Sequence, residues 1–380
     1  MGGLLAIQLV AALLLGFGAP ADVLYGRTPR LVNVVTSGYG HRCLVSDQGE
    51  AYCWGWNAYG QLGDGTTTDR ANPVRVKGLG ERVKTISAGT GSTCAALASG
   101  AVKCWGQNTY GQLGNGTTRD STLPVQVSGL TRGWIGTGLG DDFACARSMS
   151  GDAVCWGDNH HGQLGSGTIG DGSTTPRAVT GLAGTVRRIA VGSFHACALS
   201  FGDGMKCWGN NQTGSLGIGR AGSTVRPHSV RGMKSGVRGI SADGQSATTC
   251  AALRTGDARC WGHNSAGQVG TGERGANVER PALVRGLDSE VRGIAVGDGT
   301  TCAIKRGALW CWGDGDRGSR ASGDQSDSAL PRPARILTSG VTQVSMGGTG
   351  GCALRKGRAY CWGMTISPAK PALEPVPVLF

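Results

Sequence analysis

The sequence predicts an all-β protein, a seven-bladed β-propeller with four short antiparallel strands per blade and about 51 residues per repeat. Three observations lead to this prediction. The 380 residues include 69 Gly, and only 16% of them are charged. The 14 Cys all fall into short-range pairs. The second Cys of each pair recurs at a nearly constant interval along the chain.

Composition favours short strands joined by tight turns. Hydrophobic residues make up 39% of the chain, which is too apolar for a disordered protein. Gly weakens the interior of helices and strands but is favoured where the backbone needs a positive φ. Because no long amphipathic helix is recognisable after residue 25, we expect strands throughout the remaining chain.

The N-terminus predicts export. Residues 3–18 are an uncharged apolar run, and Ala19-Pro20-Ala21 provides an A-x-A cleavage site. We therefore predict a signal peptide over residues 1–21 and a single propeller domain over residues 22–380. Because no Lys or Arg precedes the apolar run, a misplaced start codon or a short uncleaved anchor is the alternative.

The cysteine spacing predicts seven disulfide-bonded hairpins. A three-residue turn at 47–49 places Cys43 opposite Cys53, and a two-residue turn at 356–357 does the same for the last pair. Both registers put the cysteines at a non-hydrogen-bonded position, where side chains across a ladder come closest. Zinc is the alternative, but each hairpin supplies only two thiolates. The predicted pairs are Cys43–Cys53, Cys94–Cys104, Cys145–Cys155, Cys197–Cys207, Cys250–Cys260, Cys302–Cys311 and Cys352–Cys361.

The location predicted from these features is extracellular, periplasmic or in the cell envelope. Disulfides persist in oxidising compartments and are rare in the cytosol. The paired cysteines and the apolar N-terminus therefore agree on the same class of compartment.

One repeat, residues 83–130, contains four strand-like runs. The first precedes a Gly-rich loop at 89–93, two flank the cysteine hairpin, and the last begins at Pro124. Proline is tolerated at the first position of a strand or on an edge strand. Four strands per unit predict a propeller blade.

The stretch CWGQNTYGQLGNGT (104–117) has close copies beginning at 53 and 155, and we interpret it as structural. A tryptophan follows the second Cys of every pair, and we expect it to fill the space between neighbouring blades. In the first four repeats a Leu lies within the Gln-Leu-Gly or Ser-Leu-Gly segment that follows; these residues are Leu62, Leu113, Leu164 and Leu216.

This pattern resembles the repeat of the regulator of chromosome condensation family. The Cys-Ala-Leu strand, the CWG-x-N-x-x-G-Q-L-G-x-G stretch and the following P-x-x-V are the features that match, over roughly residues 30–380. The resemblance implies a closed seven-bladed propeller and protein recognition on one face. It weakens after Trp312 and Trp362, where the N-x-x-G-Q-L-G motif is missing. The nuclear nucleotide-exchange role of the best-known member is disfavoured by the predicted signal peptide and disulfides.

No motif predicts catalysis, a cofactor or a metal site. The G-x-G-x-x-G strings that begin at 217, 270 and 313 do not open a helix in a βαβ unit. Asp314 and Asp316 suggest a calcium loop that lacks its later carboxylate ligands. We therefore expect no cofactor and no enzymatic activity.

Candidate binding residues lie in the loops just before the first Cys of each pair, because these loops vary most in chemistry. In a ring they emerge on one face near the axis, as a binding surface does. Solvated turns without function are the alternative. The candidates are Tyr39, His41, Asp141, Asp142, Phe143, Phe194, His195 and Asp298.

The predicted function is that of a secreted, monomeric, non-catalytic propeller with a protein partner. A polysaccharide-active enzyme using Asp141, Asp142 and Asp298 is one alternative. A lectin-like carbohydrate binder using Tyr39 and Phe194 is another. The net charge is +12, mostly in the C-terminal half, but no basic cluster is interleaved with aromatic residues. We therefore do not expect nucleic acid as the partner.

Overall fold

The computed structural model describes residues 31–242, 247–364 and 371–380. The predicted signal peptide lies outside these residues. None of the described residues belongs to a helix that is long and apolar enough to cross a membrane.

The described residues form seven four-stranded antiparallel sheets, each from four consecutive strands, which confirms the predicted propeller. Blade 1 contains β1 Val32–Ser37, β2 His41–Ser46, β3 Ala51–Gly55 and β4 Arg70–Arg75; blade 2 contains β5 Val83–Ala88, β6 Ser92–Leu97, β7 Val102–Gly106 and β8 Ser121–Gln126. Blade 3 contains β9 Trp134–Leu139, β10 Phe143–Ser148, β11 Ala153–Asn159 and β12 Gly170–Ala178; blade 4 contains β13 Val186–Val191, β14 His195–Ser200, β15 Met205–Gly209 and β16 Thr224–Ser229. Blade 5 contains β17 Val237–Ala242, β18 Thr248–Leu253, β19 Ala258–Gly262 and β20 Val278–Leu283; blade 6 contains β21 Val291–Val296, β22 Thr300–Lys305, β23 Ala308–Gly313 and β24 Ser328–Pro333. Blade 7 contains β25 Val341–Gly347, β26 Gly350–Arg355, β27 Arg358–Gly363 and β28 Ala372–Pro377.

The first strand of every blade lines a central channel of about 560 Å³. We call the end where strand 1 leads into strand 2, and strand 3 leads into strand 4, the loop face. The opposite end, where a short turn joins strands 2 and 3, is the turn face. The two faces are therefore built from different segments of the same repeat.

The cysteine hairpins have the predicted geometry. Cys43 pairs with Cys53 and Cys352 with Cys361 across their ladders. All seven disulfides are present, with Cα–Cα distances of 4.0 or 4.1 Å. The three-residue turn ends at Gly49 with φ 80°, and the two-residue turn has positive φ at both Lys356 and Gly357. Both predicted turn types are confirmed.

Tryptophan joins each of blades 2 to 7 to the preceding blade, as expected. The Trp105 indole Nε1 of blade 2 donates to the Gln61 carbonyl of blade 1 over 2.9 Å. Leu62 and Trp105 are both fully buried. Gly63 has φ 69°, and a Cβ there would lie 2.8 Å from Trp105 Nε1, so a larger residue would separate the blades. The same indole-to-carbonyl bond is made by Trp156 to Gln112, Trp208 to Gln163, Trp261 to Ser215, Trp312 to Gln268 and Trp362 to Ser319.

Two details differ from the sequence reading. The outer strand of blade 2 begins at Ser121 rather than Pro124, and the proline lies where the pairing register with β7 shifts. Blade 6 keeps the bond from Trp362 to Ser319 although its Gln-Leu-Gly motif is replaced by Ser319-Arg320-Ala321. Blade 6 therefore keeps the backbone contact of this segment although the Gln-Leu-Gly sequence is absent.

The ring closes by direct contact between blades 1 and 7. The Gln343 side chain accepts from Val35 N at 3.3 Å and donates to Val35 O at 3.0 Å. The Arg42 guanidinium, which is buried, donates to Trp362 O at 2.8 Å. These contacts join residues more than 300 positions apart, which confirms the closed ring.

Trp156→Phe is expected to destabilise the protein by about 1–2 kcal/mol more than Trp105→Phe. Both changes remove the same indole, but the Gln61 carbonyl keeps a second donor, Thr93 Oγ1 at 2.8 Å. The Gln112 carbonyl receives only Trp156 among the described residues, so it would be buried without a donor. Denaturant unfolding of the two oxidised variants measures the difference. Equal losses would show that the indole bond adds little beyond ring volume.

Candidate binding face

Two variable positions meet in every blade at the loop face. The residue after each Cys-Trp-Gly donates its backbone N–H to a carbonyl in the loop between strands 1 and 2. These donors are Trp56, Gln107, Asp158, Asn210, His263, Asp314 and Met364, with N···O distances of 2.7–3.3 Å. The face therefore presents side chains that vary from blade to blade on a repeating backbone.

Three predicted contact residues are buried. His41, Phe143 and His195 are each 1% exposed. Each is the first residue of strand 2 and lies between neighbouring blades rather than in the loop before it. The prediction that these three form the binding surface is therefore wrong.

The two buried histidines make matching contacts between blades. His41 Nε2 lies 2.8 Å from Thr93 Oγ1, and His195 Nε2 lies 2.8 Å from Thr249 Oγ1. Burial lowers the pKa of each histidine to about 4. Both are therefore neutral at physiological pH and contribute to the structure.

The other candidates reach the loop face and are partly exposed. Tyr39 and Asp141 line the mouth of the channel. Asp141 accepts a 2.6 Å hydrogen bond from Thr90 Oγ1. Phe194 makes an edge contact with His161, with ring centroids 5.2 Å apart. Aromatic and acidic groups therefore lie together on this face.

Carboxylates interact across this face. Burial, followed by the charges of Asp141 and Asp158, raises the pKa of Asp142 to about 6. Burial and the charges of Asp314 and Asp141 raise the pKa of Asp298. Asp141 and Asp298 belong to blades 3 and 6, so their interaction connects distant parts of the ring. The resulting cluster of five residues, Asp141, Asp142, Asp158, Asp298 and Asp314, is called the acidic centre below.

The repeated glutamines support this centre, which the sequence reading missed. Gln112 Nε2 donates to Asp142 at 3.2 Å, and Gln163 Nε2 donates to Asp158 at 2.7 Å. Their Oε1 atoms accept backbone N–H groups of their own loops, as in the other Gln-containing blades. The repeated stretch is therefore structural and also orients variable face residues. The sequence signal for Asp158 and Asp314 was the change of residue after each Cys-Trp-Gly.

Asp314, Asp316 and Asp327 bring their carboxylates within 4.8 Å of one another. Asp327 supplies a third carboxylate that the calcium-loop reading did not include. The carboxylates already accept the backbone N–H groups of Asp316 and Gly315, and Asp327 pairs with Arg274 at 3.0 Å. These local partners account for the cluster without a metal ion.

Comparison with known proteins gives a family match over most of the chain. The family model for the RCC1-like domain matches residues 15–352. The chain is 32% identical to the Ultraviolet-B receptor UVR8 of Arabidopsis thaliana, over 80% of this chain and 70% of the receptor. It is 30% identical to the human E3 ubiquitin-protein ligase HERC2, over 71% of this chain but only 6% of the ligase.

A solved structure shares the fold. Prp20p from Saccharomyces cerevisiae, described with its binding properties to Gsp1p and histones, superposes with a TM-score of 0.75. The match covers 89% of this chain and 83% of Prp20p, at 20% identity. At that identity the likeness concerns the fold alone.

Acid is expected to destabilise the protein through His41 and His195. Their folded pKa is about 4, below the ordinary value of 6.5, so the unfolded chain binds more protons between these pH values. The free energy of unfolding should therefore fall from pH 6.5 to pH 4, by roughly 3 kcal/mol for each histidine. The raised pKa of Asp142 favours the folded protein as the pH falls, which opposes the effect of the histidines. The contribution of a histidine is therefore measured by comparing variants.

His195→Gln should flatten this pH dependence, measured by denaturant unfolding at several pH values. His228→Gln, at an exposed position on β16, is the matched control and should leave the slope unchanged. An unchanged slope in His195→Gln would contradict the assignment.

Proposed function

The chain belongs to the RCC1-like domain family, and on this basis we propose that it is a non-catalytic binding propeller that recognises a protein partner through its loop face. The loop face combines a repeating backbone with side chains that vary among the blades. Such a surface is typical of recognition sites on propellers and other rigid scaffolds.

The acidic centre is the observation that carries the proposal. After burial, the charges of Asp141 and Asp158 raise the pKa of Asp142, and those of Asp314 and Asp141 raise the pKa of Asp298, so these carboxylates repel one another in the free protein. A Lys or Arg side chain of a partner would relieve this repulsion. Partly exposed Tyr39 and Phe194 beside the carboxylates supply apolar contact area, as aromatic residues do in protein interfaces. The proposed partner therefore presents a basic segment.

We also propose that the protein works outside the reducing cytosol. Seven disulfides and no free Cys among the described residues fit an oxidising compartment. The apolar run at 3–18 would provide the export signal. A monomer remains the expected state.

The relatives are consistent with recognition as the role. Prp20p is described as binding Gsp1p and histones, and UVR8 is named a receptor. The ligase activity in the name of HERC2 belongs to a protein of which this chain matches 6%. For this chain we propose binding of a protein partner.

A polysaccharide-active enzyme is the second candidate, and the raised pKa of Asp142 beside Asp141 is the observation that favours it. One observation weighs against it. Asp141 lines the channel, whereas Asp142 is held by Gln112 and does not, so the two do not face one cavity. Turnover of an anionic glycan by the oxidised protein, lost in Asp142→Asn, would favour the enzyme.

Asp142→Asn combined with Asp298→Asn is expected to weaken capture of a partner from culture fluid at least tenfold, because both changes remove negative charge from the acidic centre. Binding by the unaltered protein should also fall about tenfold between pH 7 and pH 5, because the pKa of Asp142 is about 6 and the bound form needs it ionised. Titration of the captured partner by calorimetry measures both effects.

Asp171→Asn combined with Asp288→Asn is the charge-matched control, since both residues are exposed and outside the acidic centre. This control should bind normally. Equal weakening in both double variants would mean that only overall charge matters, which would contradict the proposed site.

Non-reducing peptide mapping of the protein from its natural source should recover seven bridges, each within one hairpin. Free thiols throughout would contradict the proposed oxidising compartment, since the cysteines lie in register for bridging in every blade.

A further inference from the structure

Backbone hydrogen bonds join neighbouring blades all around the turn face. The first residue of each innermost strand donates its N–H to the turn between strands 2 and 3 of the preceding blade. The donors are Val32, Val83, Trp134, Val186, Val237, Val291 and Val341, with N···O distances of 2.8–3.1 Å. The turns and the starts of the innermost strands therefore form one continuous face around the channel mouth.

This mouth is cationic. Arg188, Arg238 and Arg292, from three consecutive blades, line the channel and are exposed. None of the three has an acidic partner among the described residues. Nearby acidic groups are already engaged, since Asp203 pairs with Arg187 and Arg254.

Further basic residues extend the positive charge. Arg147, at the end of β10, has its pKa lowered by burial and by the charges of Arg188 and Arg187. The guanidinium groups are therefore close enough to repel one another. An anion at this mouth would remove that repulsion, and the acidic centre lies at the other end of the channel.

Two large exposed apolar side chains lie in turns on the same face as these arginines. Met149, in the turn of blade 3, is 64% exposed, and Phe201, in the turn of blade 4, is 55% exposed. Phe201 N donates to Thr185 O at 2.9 Å, which places it next to the start of β13, the strand that carries Arg188. Adjacent turns therefore combine exposed apolar tips with unpaired positive charge.

We propose that the turn face docks on an anionic membrane surface, with Arg188, Arg238 and Arg292 over lipid phosphates and Met149 and Phe201 at the boundary of headgroups and acyl chains. Arginine pairs well with phosphate, and basic groups near an anionic bilayer each contribute to binding. A soluble polyanion would use the arginines alone, whereas a bilayer also uses the apolar tips. Docking in this orientation directs the acidic centre away from the membrane, where it remains open to a protein partner.

Vesicle flotation of the oxidised full chain tests this proposal. Vesicles of phosphatidylcholine alone are compared with vesicles that also contain phosphatidylglycerol. We expect binding to the anionic vesicles, weakening as salt is raised. The triple variant Arg188→Ser, Arg238→Ser, Arg292→Ser should lose about a hundredfold in partitioning, since each arginine accounts for about fivefold.

Met149→Ser with Phe201→Ser should reduce partitioning about tenfold without changing its salt dependence, because it removes apolar contact and no charge. The charge-matched control is Arg119→Ser, Arg220→Ser, Arg317→Ser, three exposed residues away from the turn face, and it should bind like the unaltered protein. The apolar run at 3–18 is identical in all variants, so differences among them report on the turn face.

Three outcomes would overturn the proposal. One is equal loss in the control and the triple arginine variant. Another is equal binding to neutral and anionic vesicles by all variants. The third is binding to dextran sulfate that depends on the three arginines without binding to anionic vesicles, which would assign the mouth to a soluble polyanion instead.

Discussion

The bond from a tryptophan indole to the carbonyl of the preceding blade is the constraint on which the propeller depends. A single four-stranded blade leaves both of its faces apolar, and it is stable only when a neighbour covers each face. Trp105 fills that space and also satisfies the buried Gln61 carbonyl, so packing and hydrogen bonding fix the same spacing. The residues that surround the indole have the sizes that this close packing needs. Leu62 fills the remaining volume, and Gly63 allows the chain to pass the indole closely.

The disulfides contribute differently, because they act within blades. Each bridge closes a hairpin whose strands are already paired, for example Cys43 with Cys53, so it restrains a short loop and adds no contact between blades. Closure of the ring instead rests on blades 1 and 7, where the Gln343 amide pairs with both backbone groups of Val35. The bridges therefore protect individual blades against local opening. The contacts between blades 1 and 7 instead hold the two ends of the ring together.

The fold was predictable because its signals repeat, and much of the site was not because its residues do not. The cysteine spacing alone gave the hairpin register, including the change from a three-residue to a two-residue turn. His41 and His195 were misplaced because the sequence does not mark where a loop ends and a buried strand begins. Asp158 and Asp142 lie sixteen residues apart in sequence and meet only because strands 2 and 3 are paired. The replacement of Leu by Arg320 in blade 6 concealed a segment whose backbone path is retained.

The two mouths of the channel carry opposite charge because they are built from different parts of the same repeat. The loop face takes its side chains from the loops between strands 1 and 2, where Asp141 and Asp298 occur, and from the residues after Cys-Trp-Gly. The turn face takes its side chains from the second and third positions of the innermost strands, where Arg188, Arg238 and Arg292 occur. Since the two faces are held by separate sets of backbone hydrogen bonds, changing a side chain at one mouth need not move the other. A net charge of +12 therefore conceals an acidic surface, and overall charge is a poor guide to what such a disc binds.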